Sequence, residues 1–159
     1  FDFAMILLER TNLIDNLNYY VLEKKVPVLG ICVGMQIMFA SSEEGSKNGL
    51  GWIDGRIKKF NHQKEVNHLP LPHMGWNSIK FSEAESIFNN IDQQSEFYFL
   101  HSYIVEKEHE DITLSITNYS YEFLSSVKKN NIYGVQFHPE KSHISGIKLL
   151  RNFYKEVIC

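Results

Sequence analysis

The 159-residue sequence predicts one α/β domain: an open, mostly parallel sheet with helices on both faces and an antiparallel extension. Three observations predict it. Val26–Ile31 and Ile132–Phe137 are short, nearly continuous apolar runs, the pattern of strands covered on both faces. Amphipathic helical periodicity opens and closes the chain. Between these ends lies a strand-rich middle broken by Pro and Gly, which predicts the antiparallel part.

Each element follows from its spacing. Phe3, Ile6, Leu7, Leu13, Ile14, Leu17 and Val21 recur every three or four residues, predicting helix over 1–24 with an interruption near Thr11-Asn12. Val26–Ile31 is the first strand. Met35–Ala40 reads as helix, and Ser41–Gly51 as a polar, Gly-containing loop. Trp52, Pro70, Pro72 and Trp76 punctuate residues 52–80 into short strands and turns. Phe97–His101, Ile112–Thr117 and Ile132–Phe137 are three more strands. Ile144, Ile147, Leu149, Leu150, Phe153 and Val157 give a closing helix.

Composition narrows the function classes. Apolar residues make up 43% and charged residues 22%, which excludes disorder, collagen-like repeats and coiled coil. No apolar run approaches the roughly 18 residues of a membrane span. The formal charge is −3 and the basic residues are scattered, so neither nucleic acid nor membrane is an expected partner. Two cysteines, Cys32 and Cys159, cannot build a disulfide framework or a thiolate metal cage. That usage suits a reducing compartment, so a cytoplasmic location is expected. His62, His68, His109 and His143 lack neighbouring ligands at metal spacing, so no metal or cofactor is expected. Residue 1 is Phe, and the opening helix has no cap. A chain whose natural beginning lies further upstream is therefore expected, with 1–159 as one N-terminally truncated domain.

The strongest local signal is Gly30-Ile31-Cys32-Val33-Gly34-Met35-Gln36, between a buried strand and a helix. A nucleophile on a sharp strand-to-helix turn needs small flanking residues, a requirement that Gly30 and Gly34 are expected to meet. A helix N-terminus beside Cys32 favours thiolate, the attacking form. Taken alone, the heptapeptide also fits a buried Cys in a Gly-lined packing site. The second signal is Phe137-His138-Pro139-Glu140 at a strand exit, where residues two apart share a side. A carboxylate beside an imidazole fixes its tautomer and stabilises its protonated form. Together the two motifs supply nucleophile, base and orienter at the carboxyl ends of strands, where open α/β sheets place their sites.

Gly30-x-Cys32-x-Gly34-x-Gln36 with His138-Pro139-Glu140 resembles the class I (triad) glutamine amidotransferase family, which has a flavodoxin-like sheet. Within that family, Pro72–Asn77, His101-Ser102-Tyr103 and Gln136–Ser142 are similar to the glutaminase subunits of imidazole glycerol phosphate synthase. The resemblance implies that Cys32 attacks the side-chain amide of L-glutamine, His138 shuttles the proton and Glu140 orients His138. It places the Val33 N–H in the oxyanion hole, and Gln36, Glu44, Ser102 and Tyr103 around the substrate. Met74, Trp76, Asn77 and Lys141 match positions facing the partner, a (β/α)₈-barrel cyclase that uses the ammonia in histidine biosynthesis. His101 is expected to be a satisfied structural or interface histidine. The family also carries an N-terminal region, with an oxyanion-hole loop, before the Phe1 position.

Three other readings stay open at this level. A paralogous glutaminase would supply ammonia to a nucleotide-sugar enzyme for surface polysaccharide, and Pro72–Asn77 disfavours it. A non-catalytic partner-binding module would have no chemical reason to keep Cys32, His138 and Glu140. A peptidase or other thiol hydrolase is disfavoured by a pocket fitted to a free amino acid.

Overall fold

A computed structural model describes residues 1–60, 69–82, 86–106 and 110–158. His62, His68, His109 and Cys159 lie outside the described residues. The opening helix forms as α1 (Asp2–Arg10) and α2 (Ile14–Asn18). The break falls at Thr11-Asn12, where Asn12 takes a positive φ of 53°. The helix then widens into a π-turn, Tyr19–Glu23, which buries Val21. Strand β1 (Val28–Ile31) runs to Cys32, and α3 (Val33–Gln36) follows.

The expected Met35–Ala40 helix is corrected here. Helix α3 ends at Gln36, and Phe39–Ser42 is strand β2, parallel to β3 (Ile53–Lys59). Met35, Met38 and Phe39 have helical spacing, yet all three are buried in one cluster that a helical turn plus a strand fills equally well. The loop expected from Ser41 accordingly starts after Ser42.

The remaining strands are β4 (His73–Ser78), β5 (Lys80–Phe81), β6 (Glu96–His101), β7 (Tyr103–Glu106), β8 (Thr113–Tyr119), β9 (Tyr121–Lys129) and β10 (Ile132–Val135). Helix α4 (His143–Ile158) closes the chain. Strand β9 is the hub. One edge holds β10 and β7 in succession, and the other holds β8. The sequence patterns miss both β7 and β9. In β9 the apolar run is broken by Ser125 and Ser126, which are fully buried. Their hydroxyls meet the Ser115 hydroxyl at 2.9 and 2.6 Å, and this supplies the hydrogen bonds that burial demands.

The α/β class stands, and the sheet is mixed. The order is β1-β10-β9-β7-β3-β2, with β8 and β5 branching from β9, and β4 and β6 form a separate pair. Only β1–β10 and β2–β3 are parallel among the described pairings, so the antiparallel share exceeds what the sequence predicts. Pleating sends alternate residues of β1 and β10 to opposite faces. Leu29, Ile31, Tyr133 and Val135 pack with Leu149 and Phe153 of α4. Val28 and Ile132 pack with Leu17, Val21 and Met35. Helices therefore cover both faces of this part of the sheet. Its register pairs Ile31 with Val135, which brings Cys32 and Gln136 side by side at the strands' carboxyl ends. No helix among the described residues is long and apolar enough to cross a membrane.

Candidate active site

Cys32 occupies the junction between β1 and α3 with φ 51° and ψ −111°, a strained backbone for a residue with a side chain. This geometry lifts the side chain off a strand-to-helix turn. A Cβ on Gly30 would lie 2.6 Å from the Gly34 carbonyl carbon and oxygen and 2.7 Å from the Met35 nitrogen. Backbone meets backbone there, so only glycine fits. A Cβ on Gly34 would meet nothing within 4 Å. The expectation that both glycines clear the turn thus holds for Gly30 alone.

The electrostatics of Cys32 also differ from expectation. Burial pushes its thiol pKa up, and the Glu140 and Glu44 carboxylates push the same way. The Val33 N–H and the Gln136 amide pull it down, but less strongly. Helix α3 has only four residues, so its dipole offers little to offset desolvation. Cys32 Sγ donates to the Leu100 carbonyl and accepts from Gln136 Nε2, each at 3.7 Å. The resting group is a thiol, and attack requires a base.

His138 and Glu140 supply a matched pair. His138 Nδ1 lies 2.7 Å from Glu140 Oε1, which puts the hydrogen on Nδ1 and leaves Nε2 free to accept a proton. Their proximity arises by a different route from the extended chain the sequence suggests. His138 is extended, but Pro139–Lys141 forms a 3₁₀ turn that folds Glu140 back. Tyr98 of β6 grips both ends of this turn. The His138 N–H donates to the Tyr98 carbonyl at 2.8 Å, and the Tyr98 N–H donates to Ser142 Oγ at 3.0 Å. Ser142 Oγ closes the ring by donating to the His138 carbonyl at 2.6 Å.

A pocket of about 120 Å³ opens at Cys32 and is lined by Val33, Gln36, Glu44, Ser102 and Tyr103, with Leu100 and His101 completing it. It gathers Cys32 and all five positions assigned to substrate contact. Gln36 is buried, and its Nε2 donates to the Tyr103 carbonyl at 3.1 Å and to Gln136 Oε1 at 2.9 Å. The loop bearing Glu44 is held by the Asp2 carboxylate, which accepts the Ser46 and Lys47 N–H groups at 3.0 Å each. A larger hollow of about 500 Å³ beside β5 and β8 is lined by neither Cys32 nor any of the five positions assigned to substrate contact. Chemistry, and not size, selects the small pocket.

Sequence reasoning missed Gln136 and the partner of His101. Gln136 sits within a quoted motif, but a fully buried amide is not legible as such from a strand end. His101 is buried against His73, in a chain of hydrogen bonds with one possible direction. The Tyr103 carbonyl can only accept, so His101 Nδ1 donates to it at 3.0 Å. His101 Nε2 then accepts from His73 Nδ1 at 3.0 Å, and His73 Nε2 accepts from Asn77 Nδ2 at 3.3 Å. Both rings are neutral. Burial lowers the His73 pKa to about 4 and, with His73 adding to it, that of His101 to about 3.

These shifts set a pH dependence. The unfolded histidines bind protons from about pH 6.5 downward, whereas the folded pair resists until pH 3–4. Stability from this pair is full above pH 6.5 and falls as pH drops toward 4. Urea midpoints at pH 7.5 and 5.0 should therefore separate by more in the unsubstituted chain than in His101→Gln. An equal separation in both would refute this role for the pair.

Of the four positions assigned to a partner, Met74, Trp76 and Asn77 divide between the two faces of β4, and Lys141 lies in the 3₁₀ turn after His138. Met74 and Trp76 are 65% and 44% exposed, and Trp76 stacks on His143 with 5.0 Å between ring centroids. Lys141 Nζ lies 5.6 Å from the centre of the Tyr98 ring, which Trp76 meets edge-on at 6.0 Å. Asn77 alternates to the other side, where it holds His73 and donates to the Asn118 carbonyl at 3.0 Å. Met74, Trp76 and Lys141 thus belong to one exposed patch beside the His138 turn, and Asn77 lies behind it.

A family model described as "Glutamine amidotransferase class-I" matches residues 9–157. The chain belongs to that family. Among curated members, a Leptospira borgpetersenii protein named imidazole glycerol phosphate synthase subunit HisH is 47% identical over 153 residues, covering 96% of this chain and 75% of that protein. A Methanococcus maripaludis protein named imidazole glycerol phosphate synthase subunit HisH 2 is 49% identical over 156 residues, covering 98% and 76% respectively. A crystal structure titled as a glutamine amidotransferase superposes with a TM-score of 0.69 at 13% identity, over 96% of this chain and 72% of that one. A putative GMP synthase subunit from Thermoplasma acidophilum gives 0.62 at 22% identity, over 94% of this chain and 69% of that one. These structural likenesses show the amidotransferase fold.

Proposed function

We propose that this chain is the glutaminase subunit of an imidazole glycerol phosphate synthase, hydrolysing L-glutamine and passing ammonia to a cyclase subunit. The observation that carries the reading is one small pocket, of about 120 Å³, lined by Cys32 together with Val33, Gln36, Glu44, Ser102 and Tyr103. Relatives with 47% and 49% identity, named as subunits of that synthase, support it.

His138 Nε2 takes the Cys32 proton as sulfur attacks the amide carbon of glutamine. Negative charge develops on the amide oxygen, where the Val33 N–H is placed to stabilise it; one such donor is typically worth about 10²–10³ in rate. The proton passes from His138 to the leaving nitrogen, and ammonia departs. Water activated by His138 then cleaves the γ-glutamyl thioester and releases glutamate. Glu140 keeps the imidazole in the right tautomer and stabilises its cationic form throughout. Ser102 and Tyr103 lie where they can hold the amino-acid end of the substrate, with Gln36 and Glu44 lining the remaining wall.

Ammonia released into water would become ammonium and lose its nucleophilic lone pair, so a partner must seal the site. Met74, Trp76 and Lys141 form an apolar and cationic patch beside His138, suited to that seal. Residues 1–159 act as one domain in this reading. The test measures glutamate from glutamine alone, then with the barrel cyclase and its ribonucleotide substrate, using Cys32→Ala as blank. Glutamate that depends on both cyclase and Cys32 is the expected result. Hydrolysis indifferent to that cyclase would move the partner to another ammonia-using enzyme, and none from the folded complex would overturn the reading.

A further inference from the structure

The geometry points to Gln136 as a positioning residue for the nucleophile, aiming its side-chain amide at the Cys32 sulfur and locked in that orientation through Gln36. The inference rests on the reading of Cys32 as the nucleophile. Gln136 directly follows β10, and the Cys32 N–H donates to the neighbouring Val135 carbonyl at 2.8 Å, so the two side chains emerge together. The Gln136 side chain is fully buried.

Its orientation is dictated by a chain of obligatory partners. The Tyr103 carbonyl only accepts, so the Gln36 end facing it at 3.1 Å must be the NH₂ group. The same NH₂ faces Gln136 at 2.9 Å, so that atom must be the Gln136 oxygen. The Gln136 NH₂ is left to face Cys32 Sγ at 3.7 Å. A flipped Gln136 would set two donors against each other in a buried site. The amide thus donates to sulfur and favours the thiolate, opposing the Leu100 carbonyl, which accepts from the thiol. Because Gln36 also lines the pocket, the substrate site and the aim of the donor are mechanically joined.

Other charges face Cys32: Glu140, beside His138 in the turn after β10, and Glu44 from the loop after β2. His101 in β6 is neutral. Replacing Gln136 leaves all of them in place, so a change in thiol titration reports the lost donor.

The test follows iodoacetamide alkylation of Cys32 against pH in the full chain carrying Cys159→Ser, read by intact mass. Gln136→Met and Gln136→Leu both remove the donor without adding a charge beside the sulfur. Each is expected to move the alkylation midpoint upward by roughly one pH unit, slowing the reaction near pH 7.5 about tenfold. An unshifted midpoint in the folded variants would overturn the inference. Should neither variant fold, the unsubstituted chain decides. Its Gln136 side-chain amide resonances should shift with the Cys32 titration, and pH-independent resonances would be equally fatal. Alkylation needs no glutamine, so a chain that reacts as expected but never hydrolyses glutamine would overturn the glutaminase reading and leave the Gln136 result standing.

Discussion

Gly30→Ala is expected to reduce glutamine hydrolysis at least about a hundredfold, whereas Gly34→Ala should leave the fold as stable as before or slightly more so. The contrast comes from what each methyl group would meet. At position 30 it would stand 2.6 Å from the Gly34 carbonyl, with main chain on both sides. No rotamer change relieves that approach, so β1 and α3 must separate by several tenths of an ångström or more. Overpacking of this kind typically costs about 1–3 kcal/mol. The larger effect falls on chemistry, because Cys32 sits between the two displaced elements with its φ already at 51°. At position 34 the methyl group enters open space in a helical turn, where alanine is favoured over glycine by about 0.5–1 kcal/mol. Thermal midpoints and glutamate release from the cyclase complex check both variants. Equal activity in Gly30→Ala and the unsubstituted chain would show that the turn tolerates a Cβ and that the elbow argument is wrong.

Sequence reading succeeded where a physical constraint is local. The strand–turn–helix run around Cys32, the apolar strands Val28–Ile31 and Ile132–Val135, and the amphipathic closing helix all express periodicities of a few residues. It failed where the deciding partner is distant in sequence. Met35–Phe39 satisfies helical spacing, and only β3, pairing through Ile53, shows why Phe39 is extended. Strand β9 hides because Ser125 and Ser126 look exposed until Ser115 comes across from β8 to satisfy them. The site shows the same division. Cys32 and the His138–Glu140 pair could be singled out as motifs, and the resemblance placed Gln36, Glu44, Ser102 and Tyr103 around them. The raised thiol pKa, the tyrosine-clamped turn and the Gln36–Gln136 lock depend on neighbours roughly 40 to 100 residues away.

Gly146→Ala is the second large expected effect, and it acts on the triad from a residue outside any catalytic motif. Helix α4 begins directly after the turn that carries His138 and Glu140, and the Gly146 N–H donates to the Ser142 carbonyl at 3.0 Å. A Cβ on Gly146 would overlap the carbonyl oxygen of Pro139, the residue between the two catalytic side chains. The helix cannot simply retreat, because Leu149 and Asn152 are seated in the core, where Asn152 donates to the Ile87 and Asn89 carbonyls at 3.2 and 2.7 Å. The strain therefore goes to the turn, whose geometry depends on three hydrogen bonds among His138, Tyr98 and Ser142. Loss of that clamp would displace the His138 ring, and misplacement of a catalytic group by about 1 Å can lower a rate about a hundredfold. Destabilisation of about 1–3 kcal/mol should lower the melting temperature by roughly 3–10 °C. Gly146→Ser should behave in the same way, since its Cβ meets the same oxygen. Glu140→Gln should differ in kind, with a melting temperature near that of the unsubstituted chain and a loss confined to turnover, because Glu140 is exposed and its neighbours are undisturbed. Measuring melting temperature and glutamate release for all three separates a turn displaced by packing from a turn in place with its charge removed. A Gly146→Ala chain that keeps both its melting temperature and its activity would show that α4 does not set the position of His138.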